Sequence, residues 1–172
     1  MPFTRGQPII KGDPIWTFMA TDYLYEDLGT GKDLGNIDSL TLCDDAAGPE
    51  IGEWGEALVA QYLERQKQLG KILDYFWKNS EEETGCPFDF EIQLSGNSGI
   101  LSNYIEVKST VSEDKEVFEI SMQQIQFAEH EKEKFHIYRV FNAGNPERVK
   151  LIRITNLDMR LAKKQVKLCM LI

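Results

Sequence analysis

The segment Tyr104-Ile105-Glu106-Val107-Lys108-Ser109-Thr110 sets a carboxylate and an ammonium two residues apart in a run rich in β-branched residues. Side chains alternate along a strand, so Glu106 and Lys108 share one side while Ile105 and Val107 take the other. Burying opposite charges among Ile and Val is costly unless something uses them. Upstream, Cys86-Pro87-Phe88-Asp89-Phe90-Glu91-Ile92 carries a second carboxylate in alternation that runs on through Leu94, and Ser95-Gly96-Asn97-Ser98-Gly99 is a turn sequence. A hairpin of these two segments brings Asp89 and Glu106 within reach of one cation. Two carboxylates pressed together repel and raise at least one pKa, whereas a hard divalent ion takes both as oxygen ligands. Magnesium would keep several waters there, one able to become a nucleophile, and Lys108, with three donors, could orient it and offset developing charge.

The elements that must hold these groups are legible from Pro49 onward. Ile51, Trp54, Leu58 and Tyr62, with Ala57, Val59 and Leu63, follow helical spacing that starts at Pro49 and ends at Gly70. Glu53 and Glu56 lie three apart on that helix. Gly52 and Gly55 each weaken it by up to about 1 kcal/mol relative to Ala, which predicts a close approach there by a sheet or by a nucleic-acid backbone. Residues 72–78 read as a first strand and Asn79–Gly85 as a solvated loop. Val117–Ile120 is extended, and Ser121-Met122-Gln123-Gln124 fits a capping box opening a helix to about Glu133. Phe135–Phe141 and Val149–Ile154 read as strands around the turn-rich Asn142–Pro146, and Asn156-Leu157-Asp158 opens a last basic helix with apolar Leu161, Val166, Leu168 and Met170. Gln123 and Gln126 read as solvent-exposed.

Asp followed by Glu-x-Lys on neighbouring strands resembles the PD-(D/E)XK nuclease superfamily. Five blocks in order narrow the match: Gly52-Glu53-Trp54-Gly55-Glu56, Phe88-Asp89, Tyr104 to Thr110, Phe118-Glu119-Ile120-Ser121 and Tyr138-Arg139-Val140. Together they resemble the C-terminal domain of the NO VEIN family, over roughly residues 50–156. The resemblance implies an α/β fold with a restriction-endonuclease-like αβββαβ core, a central mixed sheet flanked by helices. It also implies that Asp89, Glu106 and the Val107 carbonyl hold Mg2+ or Mn2+, that Lys108 is the catalytic lysine, and that Glu56 or Glu53 is an accessory acid. DNA is the implied substrate, with RNA open, and the implied setting is a larger parent protein with ATPase-like or helicase-like domains. The superfamily's Pro-Asp pair is split here as Pro87-Phe88-Asp89, and Gln124 stands where the family often has Glu. The competing class is a catalytically silent scaffold of the same fold, serving as an interaction module.

The chain's 172 residues, 42% hydrophobic, suit one domain with a real core. We divide it into an irregular, Gly- and Pro-punctuated extension over 1–48, of the kind expected in a piece of a larger chain, and a nuclease-like domain over 49–172. There is no run of 18 apolar residues and no secretory N-terminus, so the expectation is an intracellular protein, nuclear in a eukaryote or cytoplasmic in a bacterium, without a membrane. Cys43, Cys86 and Cys169 are widely spaced and make no CxxC pair, which argues against structural zinc. His130 and His136 read as surface or edge positions. No GxxxxGK[ST] or GxGxxG loop is present.

A formal net charge of −9 opposes binding to phosphate backbones, yet residues 121–172 carry 10 basic against 5 acidic side chains. Within them Arg148, Lys150, Arg153, Arg160, Lys163, Lys164 and Lys167 face only Glu147 and Asp158, so a local basic face is a candidate phosphate contact, and a solvated helix with a charge-protected edge strand is the plainer alternative. Crowding of Asp89 against Glu106 predicts that Asp89→Asn raises the melting temperature in the absence of metal.

Overall fold

The computed structural model describes residues 16–20, 25–81, 84–164 and 166–170, with backbone alone at 16–20 and 166–170. Its strands are β1 (Trp16–Ala20), β2 (Glu26–Thr30), β3 (Asp74–Trp77), β4 (Phe90–Gly96), β5 (Gly99–Ser109), β6 (Val117–Ile120), β7 (Phe135–Phe141), β8 (Lys150–Thr155) and β9 (Val166–Met170). The helices α1 (Gly48–Gln68), α2 (Met122–Glu131) and α3 (Leu157–Ala162) join them, so the chain is α/β. Six strands form a mixed sheet in the order β2-β8-β7-β5-β4-β3, and β6-β1-β9 form a smaller one. All pairs in the large sheet are antiparallel except β5 with β7. A parallel pair needs a crossover, and the segment carrying β6 and α2 supplies it.

Each face of the large sheet is covered. On one, Trp54, Leu58, Val59, Tyr62 and Leu63 of α1 pack with Ile105, Val107, Tyr138 and Val140. On the other, Ile125 and Ala128 of α2 and Leu157 of α3 close over Phe135, Ile137 and Ile154. Period-two alternation sends Ile137 to one core and Tyr138 to the other. This is why β7 reads as an almost unbroken apolar run and is buried from Phe135 through Val140. α1 begins with Pro49 in its first turn and is left through Gly70 at φ 70°.

The expected close approach at Gly55 is to the sheet. A Cβ there would come within 1.7 Å of the Ser109 hydroxyl and 2.8 Å of its Cβ, so α1 reaches β5 only because position 55 has no side chain.

The structure corrects three expectations. Residues 26–30 are not irregular: β2 forms an edge of the large sheet on β8, and Leu34 and Ile37 behind it are wholly buried in the core shared with α1. Local periodicity could not reveal this, because β2's partner lies more than a hundred residues away. The last helix stops at Ala162, and Val166–Met170 is a strand antiparallel to β1. Val-Lys-Leu-Cys-Met alternates with period two, and that pattern prevails over the helical reading. His136 is 5% exposed in the middle of the sheet rather than at its edge. Burial and the charge of Arg153 hold its pKa down at about 4.

Candidate active site

The β4–β5 hairpin forms as the turn sequence implied, with Phe90 opposite Ile105 and Gly96 opposite Gly99. Asp89 sits one residue before β4, at the point where backbone pairing with β5 gives out. Its N–H donates to the Ile105 carbonyl at 2.9 Å, its own carbonyl accepts from Lys78 N–H at 2.7 Å, and its Oδ2 accepts from Val107 N–H at 2.7 Å. The carboxylate thus takes the place of a further strand residue. A strand residue's N–H and C=O point to the same edge, so the Val107 carbonyl faces the edge the Asp89 carboxylate occupies. Phe88 fixes this entry by packing against Tyr104 and Phe127, ring centroids 4.8 and 5.2 Å away. The other oxygen, Oδ1, accepts from Asn79 Nδ2 at 2.8 Å, and Asn79 in turn accepts from Thr84. Sequence reasoning gave Asn79 only to a solvated loop.

Glu106, 6% exposed, meets Lys108 Nζ at 2.9 Å. Gln124 closes the triangle, its Nε2 donating to Glu106 Oε1 at 2.6 Å while its Oε1 accepts from Lys108 Nζ at 3.2 Å. The expected capping box is present, with Gln124 N–H donating to Ser121 Oγ and Ser121 N–H to Gln124 Oε1, each at 3.1 Å. The cap therefore aims one side chain at both α2's own first turn and the site. Sequence pattern gave the cap; only the packing of α2 over β5 gives the contact with Glu106 and Lys108.

Burial, Asp89 and Glu56 together outweigh Lys108 and push the Glu106 carboxyl up to about 8, burial being the largest cause. Glu56 is thus electrically part of this group, and its Oε2 accepts from Trp77 Nε1 at 2.8 Å. Trp77 is held by stacking on Phe90 at 5.5 Å. Glu53 is exposed and lines a separate groove with residues 39–46, so of the two helix acids the fold gathers Glu56. Among the described residues no three His, Cys, Asp or Glu side chains make a metal-ligand group by themselves. The donors at hand are two carboxylates and a backbone carbonyl.

The basic block is not brought to this site as a free face. Arg148 pairs with Glu113 at 2.9 Å, Lys150 with Asp27 at 3.8 Å, and Arg153 with Glu26. The acids come from segments remote in sequence, which is why counting charges within 121–172 missed them. Lys163 and Lys164 are exposed just after α3, and the Lys167 side chain lies outside the described residues. Gln123 and Gln126 are exposed as expected.

Fold and site define a mixed-sheet α/β domain with a buried Asp and Glu and a half-buried Lys at the open end of a hairpin. The family model described as "Protein NO VEIN, C-terminal" matches residues 55–154, and the chain belongs to that family. Two curated relatives, both from Arabidopsis thaliana, agree. The chain is 35% identical over 95 residues to "Protein NO VEIN-LIKE", covering 55% of this chain and 14% of the relative, and 31% identical over 124 residues to "Protein NO VEIN", covering 72% and 4%. The chain therefore spans a small part of the length of either relative. No solved structure matches it. No helix among the described residues is long and apolar enough to cross a membrane.

Proposed function

We propose that this domain is a metal-dependent phosphodiesterase of the PD-(D/E)XK type, acting on DNA as one module of a larger protein. The observation that carries the reading is the convergence of Asp89, Glu106 and Lys108 at the point where β4 and β5 part. The succession α1, β3, β4, β5, α2, β7 supports a restriction-endonuclease-like core. Asp89, Glu106 and the Val107 carbonyl suit Mg2+ or Mn2+: all are hard oxygen donors, and a carboxyl held up at about 8 chiefly by burial, with Asp89 and Glu56 adding to it, gains most from a cation. Such an ion would supply a bound water acidic enough to lose a proton and attack phosphorus as hydroxide, and would neutralise phosphate charge. Lys108 then orients that water or a non-bridging oxygen, and Gln124 holds Lys108 against Glu106 so that its ammonium is positioned beforehand. Glu56, fixed by Trp77, is the accessory acid available to take a proton.

One observation favours the silent-module reading. Glu106, Lys108 and Gln124 satisfy one another's hydrogen-bonding groups in a closed triangle of side chains. The two readings part on Lys108→Ala. The enzyme reading expects loss of Mn2+-dependent cleavage of plasmid and linear DNA with the melting temperature retained. Cleavage undiminished in Lys108→Ala, or absent from the parent protein with either metal, rejects it in favour of the module.

A further inference from the structure

Packing accounts for Gly55 and leaves Gly52 unexplained: a Cβ built at Gly52 or at Gly48 meets nothing within 4 Å. Both glycines line an open groove of about 460 Å³ whose far wall is Lys108 and Ser109 of β5 together with Lys115 and Arg139. In a chain of net charge −9, three cations line this groove against one acid, Glu119. Arg139 is 2% exposed and lies between the rings of Phe118 and Phe141, 5.3 and 5.1 Å from their centroids. Its Nη2 donates to the Lys115 carbonyl at 2.8 Å, and its Nε is buried with no acceptor. Among the described residues no carboxylate pairs with it. A guanidinium taken out of water without an anion is costly, and such sites recruit one. The Ser109 hydroxyl is also buried without a partner. Opposite them, the first turns of α1 present the positive end of a 21-residue helix, its backbone bared at positions 48 and 52.

We propose that this groove is the track of the nucleic-acid backbone beside the scissile bond, with Lys115 and the first turns of α1 receiving phosphate oxygens, the buried Arg139 charge attracting them from beneath, and Gly52 kept bare to leave the track open. The proposal rests on the phosphodiesterase reading and extends it, because the groove shares Lys108 with the site. Gly52 offers a clean test, since it lines the groove and a Cβ there meets no protein atom within 4 Å.

The experiment measures binding rather than cleavage, by fluorescence anisotropy of a labelled DNA duplex and of an RNA of the same sequence, with Ca2+ replacing Mg2+. Gly52→Phe is expected to keep or raise the melting temperature, as loss of a helical glycine should, and to weaken binding about tenfold or more. Lys115→Ala, at an exposed position, is expected to weaken binding and flatten the salt dependence by about one unit of slope. Gln68→Phe, at the far end of α1, should bind as the parent does. Parent-like binding by both Gly52→Phe and Lys115→Ala overturns the track while leaving the phosphodiesterase reading intact, and a parent protein that binds neither polymer overturns both. Should Gly52→Phe not fold, Lys115→Ala decides alone. Preferential loss of DNA or of RNA binding identifies which backbone the groove takes.

Discussion

Replacing Glu106 by Gln should make the domain more stable at neutral pH and change how its stability depends on pH. The folded-state pKa of Glu106 is raised to about 8 from the ordinary 4.5, so between these values the native state holds a proton that the unfolded chain has released. Stability contributed by the protonated carboxyl is fully present below pH 4.5, declines as pH rises, and is lost once pH passes about 8. One pKa unit corresponds to about 1.4 kcal/mol, so the decline from about pH 5.5 to about pH 7.5 amounts to about 2 to 3 kcal/mol. Gln keeps an oxygen for Gln124 Nε2 and Lys108 Nζ and cannot ionise, so this component vanishes. The assay is urea unfolding of both proteins across that range. The difference between the two curves isolates Glu106 together with the neighbours coupled to it, since acids remote from the site titrate alike in both. On the proposed metal site, saturating Mn2+ would hold the carboxyl ionised in the folded state and should flatten the parent curve while leaving the variant unchanged. Parallel pH profiles for the two proteins would refute the argument that burial among acids governs this carboxyl.

Other substitutions test the surrounding framework. Gly55→Ala should cost about 1 to 3 kcal/mol through the Ser109 clash despite better helix propensity, and Ser109→Gly, which removes both clashing atoms, should restore most of that in the double variant; additive losses in urea melts would show that α1 does not approach β5 this closely. Asp89→Asn, expected from crowding alone to stabilise the metal-free protein, should instead lower its stability by about 1 to 3 kcal/mol, because both carboxylate oxygens accept hydrogen bonds and an amide leaves one donor facing another. A raised melting temperature in this variant would restore the crowding view. Gln124→Glu should lower the metal-free melting temperature by adding a third acid beside Glu106 and tighten Mn2+ binding in calorimetry; unchanged affinity would argue that no cation sits there.

Period-two alternation alone determined that Glu106 and Lys108 share a side and that Ile105 and Val107 oppose them, since any strand imposes it. The hairpin was legible too, because the turn sequence Ser95-Gly96-Asn97-Ser98-Gly99 lies between two alternating runs, while its register, with Gly96 opposite Gly99, comes from the structure. The helix at Pro49 and the cap at Ser121 follow from local hydrogen bonding and propensity, which act within a few residues. What depends on remote segments meeting was decided by the tertiary structure. Gln124 joins Glu106 and Lys108 only because α2 crosses back over β5. Glu56 counts and Glu53 does not because Gly55 lets α1 settle against Ser109 in one orientation. The apparent basic face is neutralised at Arg148, Lys150 and Arg153 by Glu113, Asp27 and Glu26. Arg139 becomes a buried cation only where β6 and β7 bring Phe118 and Phe141 to either side of it. Electrostatic partners and desolvation are properties of position in space, and a chain specifies them only once its long-range pairings have closed.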